Sequence, residues 1–152
     1  MKPLVVEVPG LHTVSESNAH EDHWKRVKRV QAQHEAVLLC LDAAALRCPF
    51  PLPVEVTLTR YSAGHLDEFD NLPSSLKHVA DAVAWWVRGK PGDRKQIGRA
   101  DGDETEIRFR AVQEKVRRGV RGVRIEIAPA RPRCAACCGL GRVDPSKETN
   151  AP

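Results

Sequence analysis

The sequence contains few aromatic residues and no long apolar run. Aromatic side chains make up 5% of the 152 residues, and no apolar stretch is long enough to cross a bilayer, so no membrane partner is expected. The first ten residues, MKPLVVEVPG, combine a short apolar run with a glutamate and two prolines, which is not the pattern of a secretory signal peptide. Because 41% of the residues are hydrophobic and 29% are charged, the composition predicts one packed globular domain with short tails.

The five cysteines are an odd number, and three of them lie together in CAACC. A full disulfide framework is therefore not expected, and the cytoplasm is the predicted compartment. Cys134 and Cys137 fit C-x-x-C-x-G-x-G, which resembles the zinc-knuckle repeat in the central region of DnaJ chaperones. Structural zinc normally takes four ligands, so a second pair would have to come from a dimer mate or from Cys40 and Cys48. Free thiols are the alternative to a zinc site.

Basic residues gather in four short segments, although the formal net charge is only +4. The segments are 25–29, 89–99, 115–124 and 131–133. Any one of them is typical of a solvated face, but four around one acidic segment favour a polyphosphate partner. Phosphate binding needs cations, and phosphate hydrolysis needs acids that hold a metal. The candidate DNA-binding residues are Lys90, Arg94, Lys95, Arg99, Arg117 and Arg118.

Hydrophobic periodicity predicts alternating strands and helices. The predicted elements are a strand over 4–8, a helix over 20–46, a strand over 54–61, a helix from Leu72 onward, and strands over 106–111 and 122–128 joined by a hairpin turn. This order indicates an α+β fold in which a small mixed sheet carries a long N-terminal helix and a second helix after an acidic segment. Residues 1–129 are the predicted domain, and 130–152 are a Cys-rich tail.

Three acids precede the second predicted helix in LDEFDNLPSSLKHVADAVAWW. If this segment is extended, Glu68 and Asp70 point to the same side and present their carboxylates together. Two ionised carboxylates that close repel each other unless a cation lies between them, and their hard oxygen atoms suit Mg²⁺ or Mn²⁺. Helix capping and compensation of the helix dipole are the alternative roles of these acids.

Two further features carry charge near the acidic segment. Lys77 and Asp81 lie one helical turn apart and share a flank; such a pair is otherwise an ordinary surface ion pair. The acids of DGDE (101–104) directly precede the next predicted strand. Asp103 can join Glu68 and Asp70 only if that strand lies beside strand 54–61; otherwise DGDE is a solvated turn.

Together these residues resemble the signature of RusA-like Holliday junction resolvases. LDEFDNLPSSLKHVADAV is similar to that family's acid-x-Asp-Asn-Leu run, following lysine and Asp-Ala-hydrophobic helix. VVEVPG with Ser17, Asn18 and Trp24 resembles its N-terminal strand, polar loop and first helix. VEVTLTRYS, ADGDETEIRFR and GVRIEI resemble its later strands, so that the resemblance covers about residues 3–128.

The resemblance implies a small homodimeric endonuclease that needs Mg²⁺ or Mn²⁺. It would bind four-way DNA junctions and nick two strands symmetrically during DNA recombination and repair, in a bacterial or phage-infected cell. The family's metal-binding acids would be Glu68, Asp70 and Asp103, with Asp101 as the alternative to Asp103. Its basic residue would be Lys77, which would hold the scissile phosphate or offset charge in the transition state.

The chain departs from the family at two of these positions. Glu68 stands where the family usually has Asp, and Lys77 comes seven residues after Asp70, where four is usual. A second hypothesis is a non-catalytic nucleic-acid-binding module that uses the basic loops and the CxxC tail. A third is a nuclease that cuts flaps or branched forks.

Overall fold

Two helices pack on a four-stranded mixed sheet in the computed structural model, which describes residues 2–16, 20–89, 97 and 106–130. The elements are β1 (Leu4–Pro9), α1 (His23–Ala44), β2 (Val54–Ser62), α2 (Asn71–Val87), β3 (Ile107–Lys115) and β4 (Gly122–Pro129). The predicted α+β class with a mixed sheet is therefore confirmed.

The strands lie in the order β1-β4-β2-β3. β4 pairs antiparallel with both β1 and β2, whereas β2 and β3 are parallel. In the parallel pair Val54 lies opposite Ile107 and Ser62 opposite Lys115, so the two strands begin together and end together. α2 is the crossover that carries the chain from the end of β2 back to the start of β3.

The predicted hairpin between the last two strands is wrong. β4 lies on the far side of β2 from β3, and the six residues 116–121 carry the chain past the end of β2, a distance of about 10 Å at two strand spacings. The burial pattern explains this order. Val123, Ile125 and Ile127 of β4 are fully buried, which a central strand provides, whereas Arg110 of β3 is exposed, which an edge strand tolerates.

The core lies between the helices and one face of the sheet. Inward-facing residues of all four strands meet the apolar stripe of α2 and the second half of α1. Its largest fully buried members include Trp86, Leu38, Leu41, Leu58, Leu72 and Leu76. The second half of α1 is apolar nearly all round, yet Leu39 is 72% exposed, and Leu46 just after the helix is 92% exposed. α1 packs on one side only, so the opposite side of this apolar stretch stays in solvent.

One hydrogen bond joins the two helices within the core. The indole Nε1 of Trp86 in α2 donates to Oδ1 of Asp42 in α1 at 2.8 Å. Trp86 is 1% exposed, so it combines a large buried apolar area with a satisfied polar atom. Of the helices within 2–16, 20–89, 97 and 106–130, none is long and apolar enough to cross a membrane.

Replacing Trp86 should be among the most destabilising single changes in the protein. Trp86→Ala leaves a large cavity and removes the hydrogen bond to Asp42, so we expect a loss of about 3–5 kcal/mol in the free energy of unfolding. Trp24→Ala is the matched control, because Trp24 is 70% exposed and its loss should cost less than about 1 kcal/mol. Urea unfolding followed by circular dichroism measures both, and equal losses would contradict this account of the core.

Candidate functional site

The acidic segment folds as a turn between β2 and α2, not as the extended strand on which the predicted alignment of Glu68 with Asp70 relied. Asp67 explains the difference. Its Oδ1 accepts a hydrogen bond from the backbone N–H of Phe69 at 3.0 Å, and its carbonyl accepts one from Leu72 N at 2.9 Å. A short acidic side chain that binds the backbone two residues ahead closes the chain into a turn.

Asp70 is the N-cap residue of α2, but its side chain makes no capping hydrogen bond. Only its carbonyl takes part, accepting from Ser74 N at 3.2 Å. Glu68 and Asp70 are both exposed, and within the described residues neither carboxylate has a hydrogen bond or an ion pair. The hydrogen bond that closes the turn therefore accounts for Asp67 and leaves the carboxylates of Glu68 and Asp70 free to bind a ligand.

Gln113 fixes the acidic turn to the end of the sheet. Its Oε1 accepts from Leu66 N at 2.9 Å, and its Nε2 donates to Leu66 O at 2.6 Å. Gln113 lies opposite Arg60, near the ends of β3 and β2. The turn is therefore anchored to the two parallel strands just before the acids begin.

The link 116–121 lies at the same end of the sheet as the acidic turn, because β2 and β3 end together. It contains the predicted DNA-binding residues Arg117 and Arg118, and both are exposed. The other predicted DNA-binding residues lie outside the described residues, as do the predicted zinc ligands; they are Lys90, Arg94, Lys95, Arg99, Cys134 and Cys137. Cys40 and Cys48 are free thiols.

Lys77 forms the predicted surface pair with Asp81, with Nζ 3.7 Å from Oδ2, and its side chain is 59% exposed. Seven residues amount to almost two helical turns, so Lys77 lies on the same side of α2 as Asp70 and about 10 Å further along the axis. Side chains on a helix tilt towards its N-terminus, and an exposed ion pair is weak. The ammonium group can therefore leave Asp81 for an anion near the acidic turn at little cost.

Asp101 and Asp103 lie outside the described residues. β3 does lie beside β2, as a shared site with Asp103 requires, but the two strands run in the same direction. Glu106 precedes β3 and pairs with Arg88 just after α2, with Arg88 Nε 3.7 Å from Glu106 Oε2. The 17 residues of α2 span about 25 Å, so Glu106 and Asp70 lie at opposite ends of the helix. A site that joined Asp103 to Asp70 within one chain would have to bridge most of that length.

The described part of the chain holds no group of three or more His, Cys, Asp or Glu side chains placed to bind a metal ion. Glu68 and Asp70 nevertheless suit Mg²⁺ in part, since they offer two unpaired carboxylates from one turn. Mg²⁺ is usually held by one or two carboxylates together with substrate phosphates. The two acids therefore fit an ion that is completed by the substrate.

A second polar cluster, between α1 and α2, was not predicted. Glu16 lies at its centre, 2.9 Å from Arg26 Nε, 2.7 Å from Arg29 Nη2 and 3.2 Å from His78 Nε2. The last contact lacks hydrogen-bond geometry, so the His78 nitrogen has no hydrogen-bond partner. The ring of His34 stands edge-on to that of His78, with centroids 6.0 Å apart.

This cluster fixes the segment 13–16 against the start of α2. Ser15 Oγ donates to Asn71 Oδ1 at 2.8 Å, and Glu16 N donates to Ser74 Oγ at 3.1 Å. Asn71, Ser74 and His78 recur at helical spacing, so the sequence does carry a signal for a polar face on α2. Nothing in the sequence shows which distant segment meets that face.

Burial is the main cause that lowers the pKa of both His34 and His78, because it penalises the charged imidazolium. The carboxylates of Glu16 and Asp81 oppose this at His78 without reversing it. For Glu16, burial would raise the pKa, but the hydrogen bond and the charge of Arg29 outweigh it and hold the pKa below its usual value.

The two half-buried histidines, His34 and His78, should make the protein less stable as the pH falls. Their pKa in the folded state lies below the unfolded value of about 6.5, so the unfolded chain takes up protons first. The two neutral histidines make their full contribution to the free energy of unfolding above the unfolded pKa. That contribution is lost as the pH falls from the unfolded pKa towards the folded pKa. In the double variant His34→Gln/His78→Gln, the free energy of unfolding should therefore depend less steeply on pH between about pH 7.5 and pH 5. Urea unfolding at a series of pH values measures this dependence.

His20→Gln is the control for this measurement, because His20 is exposed and outside the cluster. It should leave the slope of the wild type unchanged. If the double variant keeps the same dependence of stability on pH as the wild type, the role assigned to His34 and His78 is wrong.

Comparison with known proteins yields no relative: no family model matches this chain, and no curated protein or solved structure matches it.

Proposed function

We propose that this protein is a Mg²⁺-dependent endonuclease of the RusA-like type that resolves four-way DNA junctions by paired symmetric nicks in recombination and repair. The observation that carries the proposal is the pair of free carboxylates, Glu68 and Asp70, at the same end of the sheet as the exposed arginines of the link 116–121. Carboxylates that bind metal and cations that bind phosphate are the two groups that phosphodiester hydrolysis needs.

The proposal assigns a role to five described side chains. Glu68 and Asp70 would hold the metal, and Lys77 would swing from Asp81 to the scissile phosphate and offset its charge. Arg117 and Arg118 would position the DNA strand through its phosphates. A bound Mg²⁺ would supply activation of water and stabilisation of the leaving oxygen.

The remaining metal ligands in the proposal come from the substrate phosphate and from an acid outside the described residues, Asp103 or Asp101. Neither Asp103 nor Asp101 has enough chain before Glu106 to reach back along the length of α2, so the proposal takes this acid from a second protomer. A homodimer is also what the reaction requires. Two symmetric nicks in a junction need two copies of a site that each chain supplies once.

Asp70→Asn should abolish cleavage of a synthetic four-way junction in Mg²⁺ while junction binding stays intact or becomes tighter. Asp70 would hold the metal that stabilises the transition state, so its loss should cost at least about a hundredfold in rate. Asp67→Asn is the matched control, since it removes the same charge one turn away but keeps an Oδ1 that can accept from Phe69 N. Gel assays of cleavage and binding on both variants make the comparison.

If the wild-type protein binds the junction in Mg²⁺ and leaves it uncut, the proposed activity fails. In that case the non-catalytic nucleic-acid-binding module becomes the better hypothesis, and removal of residues 131–152 should then weaken binding. If the protein cuts flaps or forks in preference to junctions, the third hypothesis, a nuclease that acts on flaps or branched forks, is favoured instead. All three outcomes come from one panel of junction, flap and linear duplex substrates.

Replacing Arg117 and Arg118 should weaken binding to four-way junctions by a similar factor whatever the DNA sequence of the junction. In Arg117→Gln/Arg118→Gln we expect lower affinity and a salt dependence of log K that is shallower by about one for each lost phosphate contact. Fluorescence anisotropy over a range of salt concentrations measures both. A slope equal to that of the wild type would show that the link 116–121 does not touch phosphate.

A further inference from the structure

A cavity of about 190 Å³ lies at the end of β2, beside the acidic turn but separate from it. Its polar wall is formed by His12 and Thr13 from the segment after β1, by Arg60 and Ser62 from β2, and by Arg121 from the link 116–121. The cavity is partly open to solvent. It is smaller than the roughly 300–1,000 Å³ of sites for drug-sized ligands, so it suits one small group and not a whole nucleotide.

Arg60 is the unusual residue of this cavity. It is only 9% exposed, yet no carboxylate among the described residues forms an ion pair with it. Its Nε donates to Thr13 Oγ1 and its Nη1 donates to Gly64 O, both at 3.0 Å. These neutral acceptors use two of the five donors of a guanidinium. A buried charge without a counter-charge is costly, and an anionic ligand is the partner that the protein itself does not provide.

The surroundings of Arg60 are cationic. Arg121 lies on the same wall, and none of the described lining residues is acidic. Partial burial, followed by the charges of Arg121 and Arg60, lowers the pKa of His12. The hydroxyl groups of Thr13 and Ser62 add neutral polar atoms to the wall. Arginine forks together with hydroxyl donors are the groups that proteins use to bind phosphate.

We propose that this cavity binds a single phosphate group, held by Arg60 and Arg121. Because Ser62 lies only six residues before Glu68, a strand phosphate bound there would hold the DNA next to the acidic turn; this assignment of the source rests on the proposed nuclease function. Free inorganic phosphate has the same chemistry and is the other source. Arg60 lies outside the four basic segments, and Arg121 lies within segment 115–124 but is not one of the six candidate DNA-binding residues.

The first measurement uses the full chain and inorganic phosphate, without divalent metal and at constant ionic strength set with chloride. NMR titration should show saturable shifts of the backbone amides of Thr13, Ser62 and Arg121. Bound phosphate should also raise the pKa of His12 towards its ordinary value. Arg121→Gln should bind phosphate at least about tenfold more weakly, as expected for a lost charged hydrogen bond.

Arg47→Gln is the matched control for this titration. Arg47 is exposed and lies in the connection that leads into the start of β2, whereas the cavity lies at the end of that strand. Arg60→Gln is a second test variant, but its buried position can compromise folding, so the decision rests on Arg121→Gln. Absence of saturable phosphate binding to the wild type, or wild-type affinity in Arg121→Gln, overturns the proposal.

Competition against a four-way junction distinguishes the two sources. If a strand phosphate occupies the cavity, inorganic phosphate should weaken junction binding by the wild type more than by Arg121→Gln. If junction binding is insensitive to phosphate while the titration still saturates, the site takes free phosphate. No cleavage is measured in either arm, so failure of this proposal and failure of Asp70 as a metal ligand of the nuclease are seen in different experiments.

Discussion

Parallel pairing of β2 with β3 determines which residues share an end of the molecule. Two parallel neighbours cannot be joined by a tight turn, so the chain needs a crossover, and α2 provides it. The crossover has to begin where β2 ends, and the acidic turn is the connection that starts it. The same pairing makes β3 end beside β2, which brings the basic link 116–121 to the acidic end. Opposite charges therefore gather in space although they lie about fifty residues apart in the sequence.

The segment after β1 is held from both helices, and this has consequences for the cationic cavity. Gln33 of α1 donates to the carbonyl of His12 at 2.6 Å, and Asn71 and Ser74 of α2 hold Ser15 and Glu16. Thr13 lies between these anchors and in turn receives the hydrogen bond from Arg60. The polar cluster between the helices thus fixes one wall of a cavity that it does not itself line.

Much of the fold could be predicted from the sequence, because alternation and helical periodicity record which side of an element is buried. The strands and helices fall close to their predicted positions, and α2 begins at Asn71, one residue before the predicted Leu72. The order of the strands could not be predicted in the same way. Apolar β4 and the basic link are compatible with either a hairpin or a passage across β2, and only the competition for the central position decides between them.

The acidic segment shows a different limit. Its composition is compatible with capping by any of the three acids and with metal binding by Glu68 and Asp70, and the assignment depends on which carboxylate reaches the backbone. Asp67 makes that contact, which leaves Glu68 and Asp70 free. The lack of a carboxylate partner for Arg60 could not be predicted either, because the alternation of a strand does not show whether a carboxylate will face its arginine.

The position of β4 also sets the order in which the protein can fold. Within the described residues β1 pairs only with β4, the last of the four strands along the chain, and β4 in turn separates β1 from β2. The N-terminal strand therefore has no partner until residues 122–129 have been synthesised and inserted. Bringing such distant parts of a chain together costs conformational entropy before the stabilising contacts form, and domains dominated by such contacts fold slowly. During that interval α1, α2 and the parallel pair of β2 and β3 can already make their contacts with one another.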